Sequence, residues 1–371
     1  MNQVSKPRVF EKPIGVKDYL PDAVARLRQI ERNVLACMQQ WGYQEIMTPT
    51  LEFYDTVGAA SSTSDSKLFK LLDKRGTTMV LRSDVTAPIA RVVSSLLKEQ
   101  PLPLRLAYHS NVFRALDEEA SKETEFFQTG IELVGEQSSD ADAEIVALAI
   151  ESLRAAGVQA FKMAIGHVGF LNGLFEETLP DLPEVQMQLK ALLLARDYVG
   201  FREAIGSLQL TEEARTELEG ILRLRGGKEV LVQARELSGD AAAKAAIDHL
   251  TEVIQVLDEY GLASQVMIDL TMIGDFSYYT GMIFEGYAAN MGFPVCSGGR
   301  YDNLLGQFGR PAPATGFALK TNRILESVAG EALAQPEKVI LTYTAETRKA
   351  VLQQAQQLRA TSDVIVETRR S

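Results

Sequence analysis

Cysteine is almost absent from this chain of 371 residues: only Cys37 and Cys296 occur, far apart and outside any CxxC pair. That argues against a disulfide framework and against zinc, and for a reducing compartment, so a cytoplasmic location is expected. Histidine is scarce as well. His109, His167 and His249 show no ligand spacing, so they read as structural, and no metal or other cofactor is expected. No run of about 18 apolar residues occurs, which argues against a membrane-spanning helix. The opening MNQVSKPRVFEKPIG lacks the apolar core of a secretory signal. Basic clusters are missing too. Lys and Arg number 38 against 49 Asp and Glu, a net charge of −11. A tightly held polyanion needs many phosphate contacts, so neither a nucleic-acid nor a membrane partner is expected.

What is present is ordinary globular material, 46% hydrophobic and 23% charged, enough for a large core and, at this length, for two or three domains. After a turn-like entry, GVKDYLP, apolar residues recur at helical steps: Val24, Leu27, Ile30, Val34, Leu35 and Met38. Gly42 stops this helix and a strand, YQEIMTP, follows. Leu68 to Leu72 and Thr78 to Leu81 read as paired strands around the turn DKRG. Asp140 to Ala156 reads as an amphipathic helix and Phe161 to Ile165 as a strand. From Val168 to about Leu262 the pattern is almost wholly helical. Sheet character returns with QVMIDLTMIGDFSYYTGMIFEGYA, followed by Gly-rich turns and a helix. The stretch after Pro336 reads as one βαβ unit. The expected segments are therefore residues 1–167, a helical insertion at 168–262, a return to the first body at 263–330, and a short α/β piece at 336–371. The fold class is α+β.

The chemistry concentrates between Leu104 and Gly135, which reads as a hairpin. Side chains alternate along a strand, so Tyr108, Ser110, Val112 and Arg114 share one face, and Phe126, Gln128, Gly130 and Glu132 another. Pairing brings Arg114, Gln128 and Glu132 to one side of a sheet. A guanidinium suits a carboxylate or phosphate, and a glutamine with a glutamate suits ammonium or ring N–H donors. Two readings stand: the floor of a pocket for a zwitterionic small molecule, or a half-buried sheet with solvated polar ends. Asp84 and Thr86 likewise either capture an ammonium group or cap the helix that Pro88 begins. Gly298 and Gly299 either let backbone approach a ligand or serve a tight turn.

Taken together, the motifs GVKDYLP, VFR…FFQTGIELVG, SYYTGMIFEGY, SGGRYDNL and GFALKTNR resemble those of the histidyl-tRNA synthetase family of class II aminoacyl-tRNA synthetases, over about residues 10 to 330. The resemblance implies an antiparallel sheet flanked by helices, with a helical insertion. It implies that Asp84, Thr86 and Gln128 hold an amino acid's ammonium, that Arg114 faces its carboxylate, and that Glu132 and Tyr279 address an imidazole with Tyr278 beside them. Arg323 falls at the arginine of the third motif.

Departures from that pattern concern the nucleotide. Gly274 stands where the synthetases carry an arginine, in GDFSYYTG. The loop after VFR, ALDEEASKE, holds Asp117, Glu118, Glu119 and Glu123 against Lys122 alone. Each close like-charge pair with a triphosphate costs about 1 kcal/mol even in water. Lys320 replaces a third-motif glycine, where it either crowds an adenine or attracts phosphate. About 35 residues follow Pro336, short of the roughly one hundred of an anticodon-binding domain. The chain thus resembles the synthetase-like regulatory subunits of ATP phosphoribosyltransferase. That resemblance implies no catalysis of its own and a short catalytic subunit as partner. It further implies a dimer within a hetero-octamer, and histidine as the ligand of feedback inhibition in the first step of histidine biosynthesis.

Overall fold

The computed structural model describes residues 11–58, 60–61, 63–115, 123–273, 278–328, 337–361 and 364–371. The chain divides into two units, Met1–Val328 and Ala329–Ser371. The first unit begins with helix α1 (Pro21–Gln40), with Pro21 at the start, where its missing N–H leaves no bond unmade. Ile30, Val34 and Met38 are buried as their spacing predicts, whereas Val24 is 40% exposed. The apolar stripe of α1 is covered only from its third turn onward.

Strand β1 (Gln44–Glu45) is shorter than YQEIMTP suggested. Strands β2 (Leu51–Phe53), β3 (Lys70–Leu72) and β4 (Thr78–Leu81) form a small sheet in the order β2-β4-β3. The DKRG turn has a physical cause: Asp73 Oδ1 accepts from the N–H of Arg75 and Thr77 at 2.7 and 2.8 Å, and Gly76 takes φ +82°. Helix α2 (Thr86–Ser95) leads to the hairpin of β5 (Leu104–Phe113) and β6 (Glu125–Val134), and then to α3 (Ser139–Ala155) and β7 (Phe161–His167). Six helices follow: α4 (Val168–Thr178), α5 (Pro183–Leu194), α6 (Tyr198–Ser207), α7 (Glu212–Gly220), α8 (Glu229–Leu237) and α9 (Ala241–Glu259). A two-residue strand, β8 (Arg225–Gly226), interrupts them. Strands β9 (Val266–Asp269), β10 (Met282–Ala288), β11 (Cys296–Arg300) and β12 (Ala314–Lys320) then return to the sheet, and α10 (Thr321–Ser327) closes the unit.

Nine strands join in the order β1-β5-β6-β12-β11-β10-β7-β9-β8. The centre is antiparallel, as expected. The flanks depart from that, because β1 runs parallel to β5 and β7 parallel to β9. Alternation along the strands divides the core in two. Ala107, Ile131 and Leu133 point to one face, where α1, α3 and α10 pack. Leu106, Tyr108, Val112 and Phe126 point to the other, against Ile89 and Val93 of α2 and Leu304 and Leu305. Helix α3 is buried nearly all round rather than amphipathic, since α1 and α9 cover the sides that the sheet leaves open. Its N-cap is Ser138, whose hydroxyl accepts from Ala141 N–H at 3.3 Å.

Gly298 and Gly299 lie in the middle of β11, not in a turn. A Cβ on Gly298 would meet Phe317 Cβ at 2.6 Å, and one on Gly299 would meet Tyr279 Cε1 at 2.8 Å. The pair is there for close approach between neighbouring strands and rings.

In the second unit, β13 (Lys338–Tyr343) and β14 (Ile365–Arg370) pair in parallel through the crossover helix α11 (Arg348–Thr361). Ala355 and Val366 form its small interior.

Candidate ligand site

The face of the sheet that carries Tyr108 and Glu132 holds a cleft of about 350 Å³, measured out to its mouth. Asp84, Thr86, Tyr108, Gln128, Glu132, Tyr278, Tyr279, Ser297, Tyr301, Gly316, Phe317 and Ala318 line it. The register explains the grouping. Ser110 lies opposite Gln128, Tyr108 opposite Gly130 and Leu106 opposite Glu132, and on the other side of β6 Gly130 faces Ala318 and Glu132 faces Gly316. Directly paired residues of an antiparallel sheet present their side chains on one face.

Glu132 forms the floor. It is 2% exposed. Its Oε1 accepts from the Thr86 hydroxyl at 2.7 Å, and its Oε2 accepts from the Tyr301 hydroxyl. Burial pushes its pKa up to about 8, against the opposing pull of the two hydroxyls, and Asp84 adds to the rise. At neutral pH this carboxyl therefore favours its protonated form. Gly316 is required here, because a Cβ at that position would strike Oε2 of Glu132 and the carbonyl of Ile131.

Asp84 lines the cleft and its side chain also holds the first turn of α2. Its Oδ1 accepts from Ala87 N–H at 2.9 Å and its Oδ2 from the Ser61 hydroxyl at 2.7 Å. Thr86, the first residue of α2, stands over Glu132. Gln128 lies further along β6, 4% exposed. Tyr278 packs edge-on against Tyr279 and Tyr301, with ring centroids 5.2 and 5.4 Å apart. Burial raises the Tyr278 phenol well above its usual value. The charges of Asp84 and Glu132 add to this, while Thr86 and Arg114 oppose it.

Six of the seven residues anticipated from sequence line one cleft. Arg114 stands beside it. Its Nε donates to the Ser83 carbonyl at 2.9 Å and its guanidinium lies 5.4 Å from the Phe126 ring. Arg323 is directed toward Pro294, whose carbonyl accepts from Nη1 at 2.8 Å, and lies 5.3 Å from the Phe293 ring. Gly274 and the acidic positions 117–119, with Lys122, lie outside the described residues. Sequence reasoning missed Tyr108, Ser297 and Tyr301 as lining residues. Tyr108 was signalled by its place in the alternation, and Tyr301 by following the GGR whose arginine is buried.

That arginine fixes the strand behind the cleft. Arg300 donates to Asp142 of α3 through Nε and Nη2, both at 2.9 Å, and to Asp302 at 3.1 Å. His249 of α9 approaches the same Asp142 at 3.2 Å. His167 accepts from Gly169 N–H at 3.0 Å, and burial, with the neighbouring His249, lowers its pKa to about 4. His109 bonds the Thr129 hydroxyl at 2.8 Å.

Chemically, the lining offers two carboxyl groups, four phenols and an amide, and no cation among the described residues. It suits a ligand with an ammonium group and a flat ring carrying polar nitrogens. The fold and this pocket define a chain of the histidyl-tRNA synthetase type, and the Histidyl-tRNA synthetase family model matches residues 15–324. An ATP phosphoribosyltransferase regulatory subunit of Halalkalibacterium halodurans is 43% identical over 98% of this chain and 91% of its own length. One from Bacillus subtilis is 45% identical over 86% of this chain and 82% of its own. This chain belongs to the family of ATP phosphoribosyltransferase regulatory subunits. A crystal structure described as an ATP phosphoribosyltransferase regulatory subunit/histidyl-tRNA synthetase from Bacillus halodurans C superposes with a TM-score of 0.91 at 42% identity, covering 98% of this chain and 94% of that one. Histidyl-tRNA synthetase from Nostoc sp. PCC 7120 does so at 0.81 and 20% identity over 97% and 86%, a likeness of fold alone.

Proposed function

We propose that this chain is the non-catalytic regulatory subunit of ATP phosphoribosyltransferase, acting in the cytoplasm. It supports the activity of a separate short catalytic subunit and carries the pocket through which histidine restrains it. The catalytic partner joins ATP to phosphoribosyl pyrophosphate in the first step of histidine biosynthesis. The two assemble as a hetero-octamer in which this chain self-associates as a dimer. The observation that carries the reading is the cleft itself: acceptors and phenols fit the ammonium and imidazole of histidine, while the described residues of the lining include no cation to face a triphosphate. Adenylate formation needs positioned positive charge where the phosphates react, so aminoacylation is not part of this function.

Asp84, Thr86 and Gln128 address the ammonium, Glu132 and Tyr279 the ring, with Tyr278 alongside. The test is co-purification with a short-form catalytic subunit and an activity assay with and without histidine. The expected result is activity that needs both chains and falls with histidine. Histidine-dependent pyrophosphate exchange by the chain alone would overturn the proposal.

A further inference from the structure

Three of the four phenols in the cleft sit on two short stretches of backbone that lie against each other. Tyr278 and Tyr279 precede Thr280, and Tyr301 follows Arg300. Thr280 joins the stretches. Its N–H donates to the Arg300 carbonyl at 2.8 Å, and its hydroxyl oxygen accepts from the Asp302 N–H at 3.0 Å. Asp302 is fixed in turn, because its carboxylate accepts from Ala314 N–H of β12 and from Nη1 of Arg300, both at 3.1 Å. A shift at Thr280 therefore disturbs the ring contacts that Tyr278 makes with Tyr279 and Tyr301.

This frame is held from the side of the helical insertion. Arg300 forks onto Asp142 of α3, and Nε2 of His249 on α9 bonds the same Oδ2 that accepts from Arg300 Nε. A buried carboxylate is costly unless its lone pairs are filled, so both donors are tied firmly to Asp142. The His249 ring packs edge-on against His167, with centroids 5.4 Å apart. The next residue, Val168, opens α4 and donates its N–H to the Gly281 carbonyl at 3.1 Å. Helices α4 and α9 thus both reach the tyrosine segment. The Val168 contact is main chain and survives side-chain substitution, whereas the line through Asp142 depends on side chains.

We propose that His249 and Thr280 are the two ends of one positioning line, His249–Asp142–Arg300–Thr280, through which helix α9 sets the placement of Tyr278, Tyr279 and Tyr301. Neither end is among the residues that line the cleft, so both act through others. The choice of ligand rests on the histidine reading of the pocket; the line itself rests on the bonds just described. A displacement of α9 is thereby felt in the cleft as a change in ligand affinity.

The test is calorimetry with histidine on the purified full-length chain, paired with amide hydrogen exchange over residues 278–282. Thr280→Val keeps the volume, removes the hydroxyl and weakens histidine about fivefold, the scale of one neutral hydrogen bond. Thr280→Ser restores it. His249→Ala weakens histidine about threefold, and His249→Gln, which keeps a donor, restores it. With both Thr280→Val and His249→Ala the loss stays near about fivefold rather than reaching the product of about fifteenfold, because residues in one network are not additive. Exchange at the Thr280 amide quickens in Thr280→Val and in His249→Ala. Ile247→Val trims the buried face of α9 without touching the His249 bond, and leaves both readings within about twofold of wild type. A multiplicative loss in the double variant, no rescue by Ser or Gln, or an unchanged Thr280 amide in His249→Ala overturns the positioning line and leaves the pocket reading standing. A wild-type chain that binds no histidine overturns the pocket reading instead, and hydrogen exchange then decides the line by itself.

Discussion

The Tyr301 hydroxyl donates to Oε2 of Glu132 across strand β12, over the bare backbone of Gly316. A residue beyond the end of β11 thereby reaches the Oε2 side of a carboxyl on β6, a position that a Cβ at 316 would occupy. The bond also works against burial, holding the Glu132 pKa below where desolvation alone would take it.

Tyr301→Phe keeps the ring and removes the donor. Glu132 becomes harder to ionise and loses one of its two orienting hydroxyls. A hydrogen bond to a charged or ionising group is worth about 1.5–3 kcal/mol, so histidine affinity measured by calorimetry falls about tenfold or more. Stability also falls, by about 1–3 kcal/mol, because a buried oxygen of Glu132 loses its donor while the phenyl ring still fills the contact with Tyr278.

Glu132 also sets a pH dependence of stability. Its pKa rises from the usual 4.5 to about 8 in the folded chain, so the folded state holds this proton more tightly than the unfolded one. The group's contribution is fully present below about pH 4.5, declines as pH rises, and is lost above about pH 8, a change on the order of a few kcal/mol. Glu132→Gln removes that slope. Urea unfolding at pH 5 and pH 8.5 should show the variant gaining on the wild type at the higher pH. An equal pH response in both would mean that Glu132 is ionised at little cost.

Behind the cleft, Asp142 is fully buried with Arg300 forked onto it. Removing one member of a buried pair leaves the other charge uncompensated, at a cost of about 3–5 kcal/mol. Asp142→Asn should lower stability by about 3 kcal/mol. The double replacement Asp142→Leu with Arg300→Met should recover much of it, since two charges are then withdrawn together. Thermal unfolding of Asp142→Leu, of Arg300→Met and of the double variant, beside Asp142→Asn, measures this. Additive losses in the double variant would count against the pair acting as a unit.

The hairpin was readable because period-two alternation fixes faces; its register, with Ser110 opposite Gln128, comes from the structure. The DKRG turn was readable because Asp and Gly have local reasons to be there. Gly298 and Gly299 stayed open between close approach and a tight turn, because glycine's backbone freedom and its lack of volume look alike in sequence, and here volume decides. The outer turns of α1 show the opposite problem: helical periodicity gives an apolar stripe but not what covers it, and Val24 is left exposed. Tyr301 was legible as part of a motif and not as a lining residue, because its contact with Glu132 runs across 169 positions of chain. The parallel flanks of the sheet and the two-residue β8 were invisible for a similar reason, since each is defined by a distant partner rather than by its own pattern.

Under the proposed function, the same carboxyl tests whether histidine acts on the complex through this cleft. If the cleft is the sensor, Glu132→Ala removes the acceptor and proton donor for the imidazole and leaves an unfilled space in the floor. The histidine concentration giving half inhibition should then rise about tenfold or more, matching the loss of one charge-assisted hydrogen bond. Glu132→Gln keeps the volume and one acceptor, so it should fall between that variant and the wild type. Circular dichroism on both checks that the chain remains folded. An unchanged half-inhibitory concentration in both variants would assign histidine sensing to a surface other than this cleft. The order wild type, Gln, Ala ties inhibition to the chemistry of position 132 where unfolding shows the two variants equally stable, because the cavity left by Ala would give the same order by loosening the floor.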